Sequence, residues 1–400
     1  MMIESFFQGG DARTYIYTPL FLATFTWPTA LQALLITTKK LSPSAKQCLS
    51  IPLLLADLLI PLNFTSGNMA VDLAISVFLF NTFLRFAELF WIGPVLQGRP
   101  VESDMDYLHK ELWSALRKFP KEGEKEYVKD KKFYHLIFQF GVHAMMCDIF
   151  GSWYATFSGH DVISMHESRP ILFFFFLVGA VCLLTSAFNA IGCGLQLAYC
   201  LYYERGSYSS QLWRPLMINP IMALSLDELW SHRWHQMLRS SWVAFAFRPT
   251  RFIAQRVLAK RLKNPMPFVL LLSALSVFAI SGMMHEYIIY CNVGWSIFSR
   301  FFIGQQLIFF YIHGLAMVFE RVVKKVAQKT LPPAFLDSFV VTLVRRVWVF
   351  GYAYFTFPLF VDGFAYWGIW HDNPFNIGQP YVLRFLRAIP EAKAICGSLL

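Results

Sequence analysis

Residues 266–284, MPFVLLLSALSVFAISGMM, carry no charged side chain, and His285 and Glu286 follow at once. Apolar chain then resumes with YIIYCNVGWSIF. An uncharged run of this length fits one helical crossing of a bilayer, which takes about 20 residues at a rise of 1.5 Å each. An ionisable side chain inside such a run is costly unless it is paired or faces a functional site. The pair therefore marks a place where the chain meets something other than lipid tails.

Similar runs recur along the chain, and composition agrees with them. Of its 400 residues 56% are hydrophobic, 18% aromatic and 15% charged, with a mean hydropathy of +0.45. A soluble domain carries about 25% charged residues. Spans are expected at 15–37, 48–64, 69–96, 134–157, 170–203, 266–295, 300–320 and 341–362. The expected fold is an all-α, polytopic transmembrane bundle of about 8 helices (6–10), with an interfacial or re-entrant region. The first residues lack a basic segment followed by a short apolar run, so the first span is expected to serve as the insertion signal. The run 170–203 exceeds what a bilayer needs and is expected to be tilted, broken or partly buried in protein.

The formal net charge of +10 raises the question of nucleic acid, and its distribution answers it. Of 35 Lys and Arg residues, 28 lie in 39–46, 99–132, 205–263 and 321–346. That clustering is the one expected of cytoplasmic loops, and no nucleic-acid partner is expected. It places 99–133 and 204–264 in the cytosol, and 158–169 and both termini in the lumen, most simply of the endoplasmic reticulum. Residues 99–133 read as a solvated loop, helical in its first half. The seven cysteines form no CxxC pair and read as small apolar side chains. Asn81, Arg85 and Glu88 share one helix face, with Arg85–Glu88 expected as a structural pair and tunnel lining as the alternative.

Residues 213–251 are too polar to span, yet rich in Trp, Phe and Met. Ser225 with Glu228 forms a capping box, so a helix is expected over about 226–240. Trp230 and Trp234 suit an interfacial position. On such a helix His232 and His235 would lie on one side. Three readings are open for these histidines: a metal site shared with His285 and Glu286, ordinary interfacial hydrogen bonding, or catalysis. HEYII lacks the second His of a metalloprotease HExxH, and the other histidines are scattered, so no metal is expected.

LDELWSHRWHQMLR (226–239) followed by ISGMMHEYI (280–288) resembles the paired signature of the membrane-bound O-acyltransferase superfamily, in its wax-synthase-like branch. Leu226, Trp230, Arg233, Trp234 and His235 match the first block, and Ser281, Gly282, His285 and Glu286 the second. Leu229 replaces the usual Phe, and Ser231-His232 the usual Gly-Arg. FFYIHGLAMVFE (309–320) resembles the family as well, and the likeness spans about 200–360. The RWHQ form is similar to that of fungal enzymes that acetylate terpenoid and meroterpenoid alcohols.

The resemblance implies an acyl-CoA:alcohol O-acyltransferase, with acetyl-CoA as co-substrate, no bound cofactor and a lipophilic secondary metabolite as acceptor. It divides the chain into N-terminal spans (1–96), a cytosolic loop (97–133) and a catalytic core (134–400). The acceptor hydroxyl needs a base, and neutral His supplies one near pH 7. His285 takes that role, with Ser281 and Glu286 in support. His235 is expected on the thioester carbonyl, with Arg233 and Trp234 holding its segment. Arg248, Arg251, Arg256 and Lys260 are expected to meet the CoA phosphates. The competing class is a transporter or lipid-binding membrane protein, which explains the spans but not two histidine blocks of one enzyme family.

Overall fold

A computed structural model of the chain describes residues 7–101, 104–120, 123, 127–372 and 376–400. Each expected span is a helix. They are α1 (Thr18–Thr37), α2 (Pro43–Asn63) and α3 (Met69–Ala87), the last prolonged by a π turn and a further helical turn to Gln97. After the short α4 (Met105–Trp113) come α5 (Phe133–Tyr154), α6 (Gly159–Ser168) and α7 (Pro170–Tyr202). The remaining long elements are α8 (Arg248–Leu258), α9 (Met266–Val293), α10 (Gln305–Thr330), α11 (Phe339–Trp367) and α12 (Gln379–Ala388).

Local chemistry sets several starts. Ser42, Asn68, Ser158 and Ser338 each accept a hydrogen bond from the third residue ahead, at the heads of α2, α3, α6 and α11. Two ends differ from expectation. The span expected over 300–320 continues to Thr330, so Arg321, Lys324, Lys325 and Lys329 lie on α10 rather than in a loop. The 33-residue run to Tyr202 is one unbroken helix, about 50 Å long at 1.5 Å per residue.

Seven of these helices are long and apolar enough to cross a membrane. The eighth expected span, α5, lies outside that set, because His135, Gln139, His143 and Asp148 interrupt its apolar sequence. It packs along α7, and Gly378 donates its backbone N–H to Asp148 Oδ2 at 2.5 Å. The orientation read from the basic loops requires α5 to cross. A glycosylation acceptor inserted near Ser158 should therefore be modified and one near Gly123 left unmodified. Modification at neither site would keep α5 out of the crossing set, and the reverse pattern would invert the topology.

The chain divides into two compact units, each built from two stretches. The first comprises 1–111 and 238–318. One of its cores gathers Leu35, Ile36, Leu54, Phe86 and Phe90, and another Phe21, Ile60, Ile75 and Leu79. Polar contacts tie its spans together, as backbone-satisfied helices in lipid allow. Gln32 Nε2 donates to Asp57 Oδ2 at 2.8 Å, both residues fully buried. Lys46 Nζ donates to the carbonyls of Ile36 and Val101 at 3.2 and 3.3 Å.

Arg85 and Glu88 do pair, at 3.1 Å. Their network also takes in Arg99 on Glu88, and Glu111 and Tyr107 on Arg85. The N-terminal segment lies against the end of α9, where Gln8 O accepts from Trp295 N at 2.6 Å. Gly10 has φ 56°, and a Cβ there would fall 2.8 Å from Gly294 Cα, so both geometry and space call for glycine.

The second unit comprises 112–237 and 319–400. Tyr154, Phe157, Phe173, Phe176, Val361 and Trp370 form one core; Leu136, Tyr199, Tyr208, Trp213 and Leu216 belong to another. Lys131–Lys132 and Ser207–Tyr208 pair as two short antiparallel strands. Arg117 bonds Glu204 at 2.7 Å beside them.

Candidate active site

Ser281, His285 and Glu286 lie on α9 in the first unit. His285 Nδ1 sits 2.8 Å from the Ser281 carbonyl oxygen, four residues back. A carbonyl can only accept, so Nδ1 carries the proton in the neutral ring and Nε2 presents the lone pair. The Phe310 ring lies over the imidazole at 4.6 Å, tilted by 36°. Backbone and aromatic contacts thus fix both the tautomer and the plane of the ring.

Glu286 points to a different neighbour. Its Oε1 accepts from Gln306 N at 2.9 Å and Leu307 N at 3.2 Å. These are N–H groups of the first turn of α10, which have no partner inside their own helix and favour a carboxylate. Glu286 thereby holds the start of the helix that carries Phe310. Gly282 allows the approach, since a Cβ there would meet Leu307 Cα at 2.9 Å. Gly314 plays the same part further along α10, where a Cβ would lie 2.9 Å from Phe278. His313, buried next to it with Phe309 edge-on at 4.2 Å, went unremarked in the sequence; its signal was an ionisable residue in an apolar run.

The Ser281 hydroxyl is buried, and its Oγ has no hydrogen-bond partner among the described residues. Leaving such a group unsatisfied costs about 1–3 kcal/mol.

His235, Arg233 and Trp234 belong to the second unit. Ser225 caps as expected, accepting from Glu228 N at 3.0 Å. The helix expected over 226–240 does not form. A helical turn over Leu226–Glu228 passes into a π turn over Leu229–Arg233, and Trp234 is extended, with ψ 157°. The cause is competition for backbone groups. Ile218 N takes the Arg233 carbonyl at 2.9 Å, and Gln236 Nε2 takes those of Trp230 and Trp234 at 3.3 and 2.8 Å. His232 and His235 consequently do not share a helix side, and the i, i+3 geometry offered for a metal pair is absent.

His232 is exposed. His235 is half-buried and stacks on Phe188 at 4.4 Å and 17°. Arg233 anchors the segment through Glu228 Oε1 at 2.7 Å and the carbonyls of Ile218 and Asn219 at 3.1 and 3.3 Å. Burial pushes the Glu228 carboxyl up, but the Leu224 N–H and the Arg233 guanidinium outweigh it and hold the group below the usual carboxylate range. Glu320 is a second residue that sequence reasoning missed. Its carboxylate accepts from Leu226 N at 2.8 Å, Asp227 N at 3.0 Å and Trp348 Nε1 at 2.6 Å. Arg321 bonds Asp227 at 2.6 Å alongside.

Arg248, Arg251 and Arg256 lie on α8, with Lys260 just beyond, all four exposed and without an ion pair among the described residues. Only Arg256 is occupied, its guanidinium 3.8 Å from the Phe252 ring. Arg99, which pairs with Glu88, has its pKa lowered by burial first and by the nearby Arg248 charge as well.

The seven apolar helices define an integral, multi-pass membrane protein, with an oriented histidine set into one of them. Residues 213–310 match the membrane bound O-acyl transferase family, a stretch that contains both histidine blocks. Probable long-chain-alcohol O-fatty-acyltransferase 7 of Arabidopsis thaliana is 27% identical over 113 residues, covering 28% of this chain and 30% of that protein. Probable long-chain-alcohol O-fatty-acyltransferase 1 of the same plant is 31% identical over 144 residues, covering 34% and 38%. The long-chain-alcohol O-fatty-acyltransferase of Simmondsia chinensis is 23% identical over 281 residues, covering 69% and 71%. The matched stretch thus spans about a third of the Arabidopsis relatives' own length. The chain is similar to wax-synthase-like membrane O-acyltransferases.

Proposed function

We propose that this protein transfers an acyl group from acyl-CoA to the hydroxyl of a lipophilic alcohol. The observation that carries the reading is the His285 imidazole, whose Nδ1 is tied to the Ser281 carbonyl so that Nε2 is the nitrogen with the lone pair a base needs. Nε2 takes the hydroxyl proton as the alcohol oxygen attacks the thioester carbonyl. The C–S bond breaks, the proton passes to the departing thiolate, and ester and free CoA result. A thiolate leaves readily, so the step needs no covalent enzyme intermediate. For His235 the role rests on its place in the first block: a donor to the thioester carbonyl oxygen. Lipid is where the acceptor dissolves, which accounts for a base set into a spanning helix.

The finer reading is acetyl transfer to a terpenoid or meroterpenoid alcohol in secondary metabolism, at the endoplasmic reticulum, supported by the RWHQ form. A second reading is favoured by the relatives' names, which specify long-chain alcohols and fatty acyl groups. Membranes containing the protein should be incubated with labelled acetyl-CoA or hexadecanoyl-CoA, each against farnesol and hexadecanol. Ester from the acetyl–terpenoid pair supports the first reading and ester from the long-chain pair the second. Ester from no combination speaks for the transporter or lipid-binding alternative.

For the CoA phosphates, Arg248→Ala combined with Arg251→Ala is expected to raise KM for acyl-CoA about tenfold, the scale of one or two charge-assisted hydrogen bonds. KM for the alcohol should stay the same. An unchanged KM for acyl-CoA would leave these residues as ordinary cytoplasmic-side charges.

A further inference from the structure

We infer that the Ser281 hydroxyl binds the acyl acceptor, donating a hydrogen bond to the same alcohol oxygen from which His285 takes the proton. This rests on the acyl-transfer reading and adds a substrate contact to it.

Hydroxyls on spanning helices ordinarily bond back to a carbonyl of the preceding turn, and several in this chain do so, with Thr29 on α1 an exception. Ser273 Oγ donates to Val269 O at 2.7 Å and Ser276 Oγ to Ser273 O at 2.8 Å, both on α9. Ser76, Thr185 and Thr356 do the same on their own helices, at 2.8, 2.6 and 2.8 Å. Ser281 departs from this habit although it is only 3% exposed, and its Oγ has no partner among the described residues.

Its position gives that departure a use. Ser281 precedes His285 by four residues and so lies on the same helix face, one turn away. Its backbone carbonyl already orients the imidazole. The same residue thus sets the base and presents an unclaimed donor beside it. An alcohol oxygen has one proton and two lone pairs. If the proton goes to His285 Nε2 and one lone pair accepts from Ser281, the other is directed at the thioester carbon. Donation also eases proton loss, because it stabilises the charge that builds on the oxygen.

The test uses purified full-length protein with hexadecanol or farnesol, whichever the unaltered protein esterifies, and its matching acyl-CoA. Ser281→Ala should raise KM for the alcohol roughly tenfold, as expected for one lost hydrogen bond, with KM for acyl-CoA unchanged. Ser281→Thr keeps a hydroxyl and should stay within about threefold of the original. Without substrate, Ser281→Ala should melt no lower than the unaltered protein, since it removes no internal hydrogen bond. An unchanged KM for the alcohol, equal shifts for both substrates, or a clear drop in melting temperature would each overturn the assignment. So would an acyl group found covalently on Ser281. If the unaltered protein makes no ester with any pair, the acyl-transfer reading falls and this one with it; if it does and Ser281→Ala behaves identically, only this one falls.

Discussion

His285→Ala is expected to lose about 10²–10⁴-fold of acyl transfer, the usual cost of removing a positioned general base. With Nδ1 on the Ser281 carbonyl and Phe310 over the ring, Nε2 is the basic nitrogen and the ring plane is set. The rest of α9 is uncharged up to Met284, so the variant should insert and accumulate normally. Glu286 keeps its hold on the first turn of α10 in the variant. Activity measured on membranes matched for protein level checks this. A His285→Ala protein that retains more than about a tenth of the rate would remove His285 from the base role.

His235→Ala is expected to cost about 10²–10³-fold in kcat, the scale of one lost oxyanion-type donor. His235→Asn should retain measurable activity, because its amide N–H₂ can donate the same bond, although it gives up the stack on Phe188. The control is His232→Ala. His232 is exposed and three positions earlier on a turn that unwinds at Trp234, so its loss should cost less than about tenfold, or 1.4 kcal/mol of barrier. At saturating acyl-CoA, equal damage from His232→Ala and His235→Ala, together with inactivation by a chelator, would revive the metal reading.

Much of the helical frame was legible from hydropathy alone. All eight expected spans are helices, and most of their ends fall within a few residues of expectation, as at 69–96 against Met69–Gln97 and 266–295 against Met266–Val293. The reason is local. A segment in lipid must satisfy its own backbone, so apolar length and helix length coincide. Caps follow the same rule: Ser225 bonds a residue three positions away and was visible in the sequence. The in-span His285 was visible as well, because it and Glu286 stand out as ionisable side chains in uncharged chain.

The sequence by itself thus determined where helices run, where several begin, and that His285 sits in a span. Tertiary structure decided what those residues face. Glu286 follows His285 directly, yet its partners are the N–H groups of Gln306 and Leu307, about twenty positions on. Glu320 caps the turn at Leu226 from 94 positions away. The helix that local signals extended to 240 stops at Arg233 because Ile218, fifteen residues earlier, takes its carbonyl. Hydropathy and cap spacing record only what a residue does to neighbours within a turn or two. An unpaired N–H or carbonyl is claimed by whichever group packing brings within hydrogen-bond reach, and that distance is set by the fold.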